Sequence, residues 1–169
     1  QLRPAGAVLK TKGGRSSGPE PLRTMLAFAR NRILSKQGTR LTSLDCHDIM
    51  GNIALSAVSG GFRRSAMISL YDWDDKEMRH CKDGAFWEHA PWRTTANNSA
   101  VLTEFDGNPT SIKDHMQALF AGGNGEPGII NRDANRRMRP IRRGDAIFGN
   151  NPCNEINLRS YEFCNLSEV

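Results

Sequence analysis

Asn151-Pro152-Cys153-Asn154-Glu155-Ile156 is the stretch on which the reading of this chain turns, with Cys164-Asn165-Leu166 following shortly after. In an extended backbone, alternate side chains share a face. Asn151, Cys153 and Glu155 then point the same way, within about 7 Å along the chain at roughly 3.3 Å per residue. Pro152 has no N–H to give a sheet and belongs on a loop or an edge. A thiol between a hydrogen-bonding amide and a carboxylate is a group that can do chemistry, and a second thiol joins it if the chain doubles back. The other reading of the same residues is a turn around a buried cysteine that packs as a small hydrophobe. These few residues alone leave both readings open.

Working outward, other distinctive stretches stand in order along the chain. They are GGRSSGPEPL at 13–22, CHDIMGNI at 46–53, GGFRRSAMISL at 60–70, ANNSA at 96–100 and GEPGI at 125–129, ahead of GNNPCNEI at 149–156 and FCNLSEV at 163–169. Taken together they resemble the ribonucleotide reductases, and among these the adenosylcobalamin-dependent (class II) ribonucleoside-triphosphate reductases of the monomeric type. The eleven-residue step from Cys153 to Cys164 is similar to theirs; large subunits of the iron-dependent class tend to have a longer one. The resemblance implies an α/β fold, part of the family's ten-stranded α/β barrel and incomplete at both ends. All of 1–169 would be a fragment of that catalytic barrel, with 10–65 as the effector and specificity-loop region and 145–169 as the finger loop and following strand. The family's barrel is much longer, so a second redox cysteine is expected upstream of Gln1 and a substrate-phosphate loop downstream of Val169.

The resemblance also implies roles. Cys153 would be the thiyl-radical residue that takes the 3′-hydrogen of the ribose, Glu155 the base at the 3′-hydroxyl, and Asn151 the residue that holds the ribose hydroxyls. Cys164 would be half of the dithiol that supplies the reducing electrons. The residue types suit the work. Sulfur can carry a radical and a thiol in turn, a carboxylate can accept a proton, and two thiols closing to a disulfide release two electrons. Asn154 stands where the family often has Gly. Lys12, Gly13, Gly14, Arg15, Ser16 and Ser17 would form the loop that binds a dNTP effector. Gly60, Gly61, Phe62, Arg63, Arg64 and Ser65 would form the specificity loop. Asn98 and Ser99 would contact the substrate. Adenosylcobalamin would be the cofactor, a ribonucleoside triphosphate the substrate, and thioredoxin or a similar dithiol the reductant.

Composition narrows the remaining classes. At 169 residues the chain has the length of one domain and can bury a core. Its net charge of +5 and pI near 9.3 suit anionic partners, nucleotides and nucleic acids alike. The few aromatics show no interleaving with basic residues of the kind that stacks bases, so a nucleotide is favoured over nucleic acid. No run of about 18 apolar residues suggests a membrane span. Cysteines at 46, 81, 153 and 164 have no zinc spacing, which suits a reducing, cytoplasmic setting.

Periodicity and caps predict the elements. A helix is expected over about 19–36, with Leu22, Met25, Leu26, Ala29 and Ile33 as its core stripe. Gly13, Gly14 and Gly18 before it let backbone N–H groups turn toward an anion. A second helix is expected over about 43–58, opened by a Thr42/Asp45 capping box. Its inner face is Ile49, Ile53 and Ala57, and Cys46 and His47 are packed. A strand follows over 66–71. Asp74 is expected to cap a short helix with Met78 and Cys81 inward. Trp87 and Trp92 then flank a loop, and Asn97 to Ser99 turn into a strand near 100–103. Ser111 and Asp114 open a helix closing at Gly122-Gly123, with His115 on its face. Residues 125–130 run from a turn into a short strand. The six arginines between 132 and 143 read as an exposed basic loop, or as a contact to phosphate or cobalamin.

Two rival functions remain at this level. One is the large subunit of a diiron-dependent ribonucleoside-diphosphate reductase. The other is a non-catalytic module that binds dNTP through 10–18 and 60–65.

Overall fold

The structure, a computed structural model, describes residues 3–10, 13–57, 66–103 and 109–165. The chain divides into two compact units, one of residues 1–66 with 87–96, the other of 67–86 with 97–169.

The first unit is built on two helices, α1 (Glu20–Ser35) and α2 (Ser43–Ser56). Prolines in the first turn of α1 cost nothing there, because those N–H groups have no intrahelical acceptor. The expected capping box opens α2: Asp45 N–H donates to Thr42 Oγ1 at 3.1 Å and Thr42 N–H to Asp45 Oδ2 at 3.0 Å. Packing departs from the sequence pattern. The buried positions of α2 include Asp45, Asp48, Gly51, Asn52 and Ala54, while Ile53 stays 41% exposed and Cys46 is exposed rather than packed. The reason is ionic. The carboxylate of Asp48 receives Arg93 through Nε and Nη2 at 2.6 and 2.8 Å, and Arg32 Nη2 of α1 at 3.3 Å. Gly51 faces a 3-10 turn at Pro91–Thr95; a Cβ there would lie 2.8 Å from the Trp92 carbonyl oxygen. Phe28 of α1 packs on Trp92, ring centroids 4.7 Å apart. The expected core stripe of α1 is only partly covered, since Leu26 and Ile33 remain about half exposed.

The second unit carries a three-stranded sheet in the order β1 (Met67–Asp72), β2 (Ala96–Leu102), β3 (Gly128–Asn131). β2 and β3 are parallel, with Ser99 opposite Gly128 and Val101 opposite Ile130. Helix α5 (Pro109–Gly122) lies between them in the chain. Strand–helix–parallel strand is the α/β unit that the apolar runs imply. β2 begins earlier than expected: Asn97, Asn98 and Ser99 are strand residues, not a turn. They alternate exposed, buried and paired, because pairing with β3 outweighs their turn preference. The short helix α3 (Lys76–Arg79) is capped by Asp75, one residue beyond the expected Asp74, through Met78 N–H to Asp75 Oδ1 at 2.9 Å. Met78 and Cys81 do point inward. The segment expected as a loop around Trp87 contains a short helix, α4 (Phe86–His89). His115 of α5 is wholly buried, stacked on Trp73 with centroids 4.9 Å apart, and its Nε2 lies 3.3 Å from Pro127 O.

The basic stretch from 132 is ordered, not a loop. Asn131 caps α6 (Arg132–Met138) through its side chain, and a 3-10 turn follows at Ile141–Arg143. Arg136 grips Asp145 at 3.2 and 2.8 Å, and Arg139 donates to the Gly144 carbonyl. A two-stranded antiparallel hairpin, β4 (Gly149–Asn150) and β5 (Asn157–Leu158), completes the unit. Among the described residues no helix is long and apolar enough to cross a membrane.

Candidate active site

The stretch 151–156 is the loop of that hairpin. It does not run extended, as the alternation argument assumed. Asn154 N–H donates to Asn151 O at 2.9 Å, closing a turn over residues 151–154. Pro152 sits at its second position, where a fixed φ suits the corner. Asn151 ties the loop's base: its N–H donates to Ile156 O at 3.2 Å, and its Oδ1 accepts from Ile156 N–H at 3.0 Å. Asn154 takes φ +71°, the left-handed region where Gly is at ease and Asn is the most tolerated alternative. A residue that departs from the resembled pattern thus meets the same backbone demand.

The three positions expected at the site are divided by this turn. Asn151 is buried and its carbonyl oxygen is occupied; among the described residues its Nδ2 has no partner. Cys153 and Glu155 lie at the exposed tip, and Cys153 is a free thiol. Glu155 forms no ion pair among the described residues. Beyond β5 the chain turns again at 159–162, with Glu162 N–H donating to Arg159 O at 3.1 Å, and then reaches Cys164, a half-buried free thiol.

Side chains hold the hairpin from several directions. Asn157 Oδ1 accepts from Asn135 Nδ2 of α6 and from Asn150 Nδ2, both at 3.0 Å. Arg143 donates to Asn157 O at 3.1 Å and to Glu162 Oε2 at 2.5 Å while covering the Phe148 ring. The backbone N–H and guanidinium of Arg159, helped by Arg143, hold the Glu162 carboxyl below its ordinary value. From the sheet, Asn97 Nδ2 donates to Pro152 O at 2.7 Å. None of these supports was legible beforehand. The sequence pattern places Asn97 in a turn and the arginines in a basic loop or against phosphate or cobalamin, not against this hairpin.

Asn98 and Ser99, expected at the substrate, are buried in the unit. Asn98 Nδ2 donates to Met78 O at 3.2 Å and its N–H to Glu126 Oε1 at 3.0 Å; Lys82 and Glu126 form the ion pair beside it. Ser99 Oγ occupies the space a Cβ at Gly128 would take.

In the first unit, residues 6–9 pair with residues 14–16 as two short antiparallel arms. Ser16 N–H donates to Ala7 O and Gly6 N–H to Ser16 O, both at 2.8 Å, and Val8 bridges Arg15. Gly13, Gly14 and Gly18 all have left-handed φ. Arg15 Nη1 donates to Gly6 O at 2.9 Å, and Ser16 Oγ accepts from Gly18 N–H at 3.1 Å. Ser17 lines an open concavity of about 380 Å³ with Glu20, Thr24, Asn52 and Ser56. Lys12 and the whole 60–65 loop (Gly60, Gly61, Phe62, Arg63, Arg64, Ser65) lie outside the described residues.

The concavity beside the finger hairpin holds about 380 Å³ and is lined by Arg143, Ile156, Leu158, Tyr161 and Phe163 among others. Pockets of roughly 300–1,000 Å³ take drug-sized ligands; a corrinoid with its nucleotide tail is larger. The lining brings forward neither an imidazole nor a thiol. Taken alone, this concavity does not enclose a corrinoid.

No family model matches the chain, and no solved structure matches it. Curated relatives do. Over 99% of this chain it is 38% identical to the adenosylcobalamin-dependent ribonucleoside-triphosphate reductase of Lactobacillus delbrueckii subsp. bulgaricus. It is 37% identical to that of Lactobacillus leichmannii and 38% to that of Lacticaseibacillus paracasei, again over 99% of its length. The chain spans about 23% of the first of these proteins. With the cysteine hairpin and the motifs in order, the chain is similar over nearly its whole length to one segment of the adenosylcobalamin-dependent ribonucleoside-triphosphate reductases.

Proposed function

We propose that the protein to which this chain belongs reduces ribonucleoside triphosphates to 2′-deoxyribonucleoside triphosphates, and that this chain carries its reacting thiol. The observation that carries the reading is the hairpin at 149–158, which presents Cys153 at the tip of a braced turn within a stretch related throughout to such reductases. Cys153 as a thiyl takes the 3′-hydrogen of the ribose, forming S–H and a carbon radical. Glu155, one residue beyond Asn154 and without an ion-pair partner among the described residues, accepts the 3′-hydroxyl proton. Asn151 offers the N–H groups of its side chain to the ribose hydroxyls. The 2′-oxygen leaves as water on a proton from a thiol of the dithiol, and the Cys153 S–H returns its hydrogen to C3′, restoring the thiyl. The two electrons come from Cys164 and a second thiol elsewhere in the protein, which close to a disulfide. A dithiol of the thioredoxin kind reopens it. Adenosylcobalamin supplies the radical when bound.

The β2–α5–β3 unit supports a further reading, that the sheet is an arc of a ten-stranded α/β barrel. Such a barrel would enclose the exposed tip and keep water from a radical. A dNTP effector would lie on the glycine-rich stretch at 13–18 with Lys12, and the 60–65 loop would connect it to the choice of base. Free thiols at all four cysteines suit a reducing, cytoplasmic setting.

The test uses the full-length protein with ribonucleoside triphosphate, adenosylcobalamin and a dithiol. Deoxynucleotide is expected, and Cys153→Ser should lower its formation by a factor on the order of 10³ or more, as removing a reacting group does elsewhere. Undiminished activity in that variant ends the role of Cys153. Reduction that ignores cobalamin and needs a separate iron subunit overturns the class. Effector binding with no reduction at all leaves a nucleotide-binding module.

A further inference from the structure

Asn97 stands apart from the local residues that close the finger loop. It lies on β2, and its contact with Pro152 spans 55 residues of chain. The carbonyl it grips belongs to the peptide group whose other half is the Cys153 N–H. That group is planar, and on its near side the Pro152 ring fixes φ. Holding the oxygen therefore sets the plane from which the Cys153 Cα–Cβ bond departs. The anchor itself is firm. Asn97 and Asn98 are adjacent strand residues on opposite faces, and Asn98 is locked by Met78 O and Glu126. A rotation of β2 that would withdraw Asn97 breaks those buried bonds. Asn151, in contrast, binds only within its own loop and cannot register the loop against the sheet.

We infer that Asn97 is a positioning residue for the reacting thiol: its side-chain N–H registers the Cys153 loop on β2. The inference rests on Cys153 being the reacting group, as proposed above. A donor is required, because the partner is a carbonyl oxygen. Asn97→Ala and Asn97→Asp both remove the donation at neutral pH, while Asn97→Gln keeps it on a longer arm.

The experiment takes full-length protein with Asn97→Ala, Asn97→Asp and Asn97→Gln through two readouts. The first is hydrogen exchange at the Asn154 and Ile156 amides, with the β2 and β3 amides as internal reference. The second is the split between kcat and KM for ribonucleoside triphosphate. One hydrogen bond of ordinary strength is worth about fivefold in an equilibrium. Asn97→Ala and Asn97→Asp should therefore exchange about fivefold faster at the loop alone and lose about fivefold or more in kcat with KM held. Asn97→Gln should recover part of both. Loop exchange unchanged in Asn97→Ala and Asn97→Asp overturns the inference, as does equal exchange gain across β2 and β3, which marks general loosening. Faster loop exchange with kcat unchanged in an active enzyme also overturns it. If the wild-type protein reduces nothing, the functional reading fails by that result alone, and the positioning role falls with it whatever the loop exchange shows.

Discussion

Asn154 carries the left-handed backbone of the finger turn, and this fixes what can replace it. A residue with an ordinary Cβ in that region costs roughly 1–2 kcal/mol, whereas Gly costs nothing sterically. Asn154→Gly is expected to leave loop exchange and turnover near wild type, and Asn154→Val to loosen the loop by about 1–2 kcal/mol, read from exchange at Ile156. Tyr161 holds a φ of +66° with its side chain fully exposed, so Tyr161→Asn should relieve strain without loss of packing. His115 adds a pH dependence. Burial against Trp73 disfavours its charged form and lowers its pKa from the ordinary 6.5, which the Pro127 carbonyl only partly offsets. A group with a depressed folded pKa contributes stability above its unfolded value and loses it as pH falls toward the folded one. Protection of the β2 and β3 amides should therefore decline below about pH 6.5, and His115→Phe, which keeps the ring stack, should flatten that decline.

At the scale of the element, α2 shows how a helix can be legible by its caps and illegible by its face. Thr42 and Asp45 mark its start in the sequence because capping is local: the donors and acceptors lie three residues apart. Burial would push the Asp45 carboxyl up, but the Thr42 hydrogen bonds and the Lys36 charge outweigh it and hold the group below its ordinary 3.8. This stabilisation is present above that value and fades as pH falls beneath it. Thr42→Ala should cost about 1 kcal/mol, seen as faster exchange in the first turn of α2. Asp48 is the larger stake. Its removal takes a carboxylate from Arg93 and leaves Arg32 with Asp45 alone in a partly buried seam, and breaking such a pair costs about 3–5 kcal/mol. Asp48→Ala should therefore unprotect α1, α2 and the 91–95 turn together. An effect confined to α2 would show that the ion pairs do not join these elements.

At the scale of the whole molecule, several large side chains of the second unit stand in solvent: Met138, Ile141, Tyr161 and Phe163 are 78% or more exposed. Exposed apolar side chains in number favour association. The isolated chain is expected to associate as its concentration rises, and Tyr161→Lys with Phe163→Lys to raise its solubility, measured by light scattering. The sequence by itself determined the likeness to these reductases, both helices of the first unit, helix α5 and the cysteine stretch as the candidate site. All of these depend on neighbours within a few residues, or on motifs whose order survives without coordinates. Only the tertiary structure decided that 151–156 is a turn rather than an extended run, that Asn97 belongs to a strand and holds Pro152, and that Asn98 lies inside. It also decided that Arg136 and Arg139 meet Asp145 and that Arg143 meets Glu162. Each of these depends on a partner 3 to 55 residues away, brought near by strand pairing and turn closure. Propensity and spacing cannot tell which of several possible partners the fold will deliver.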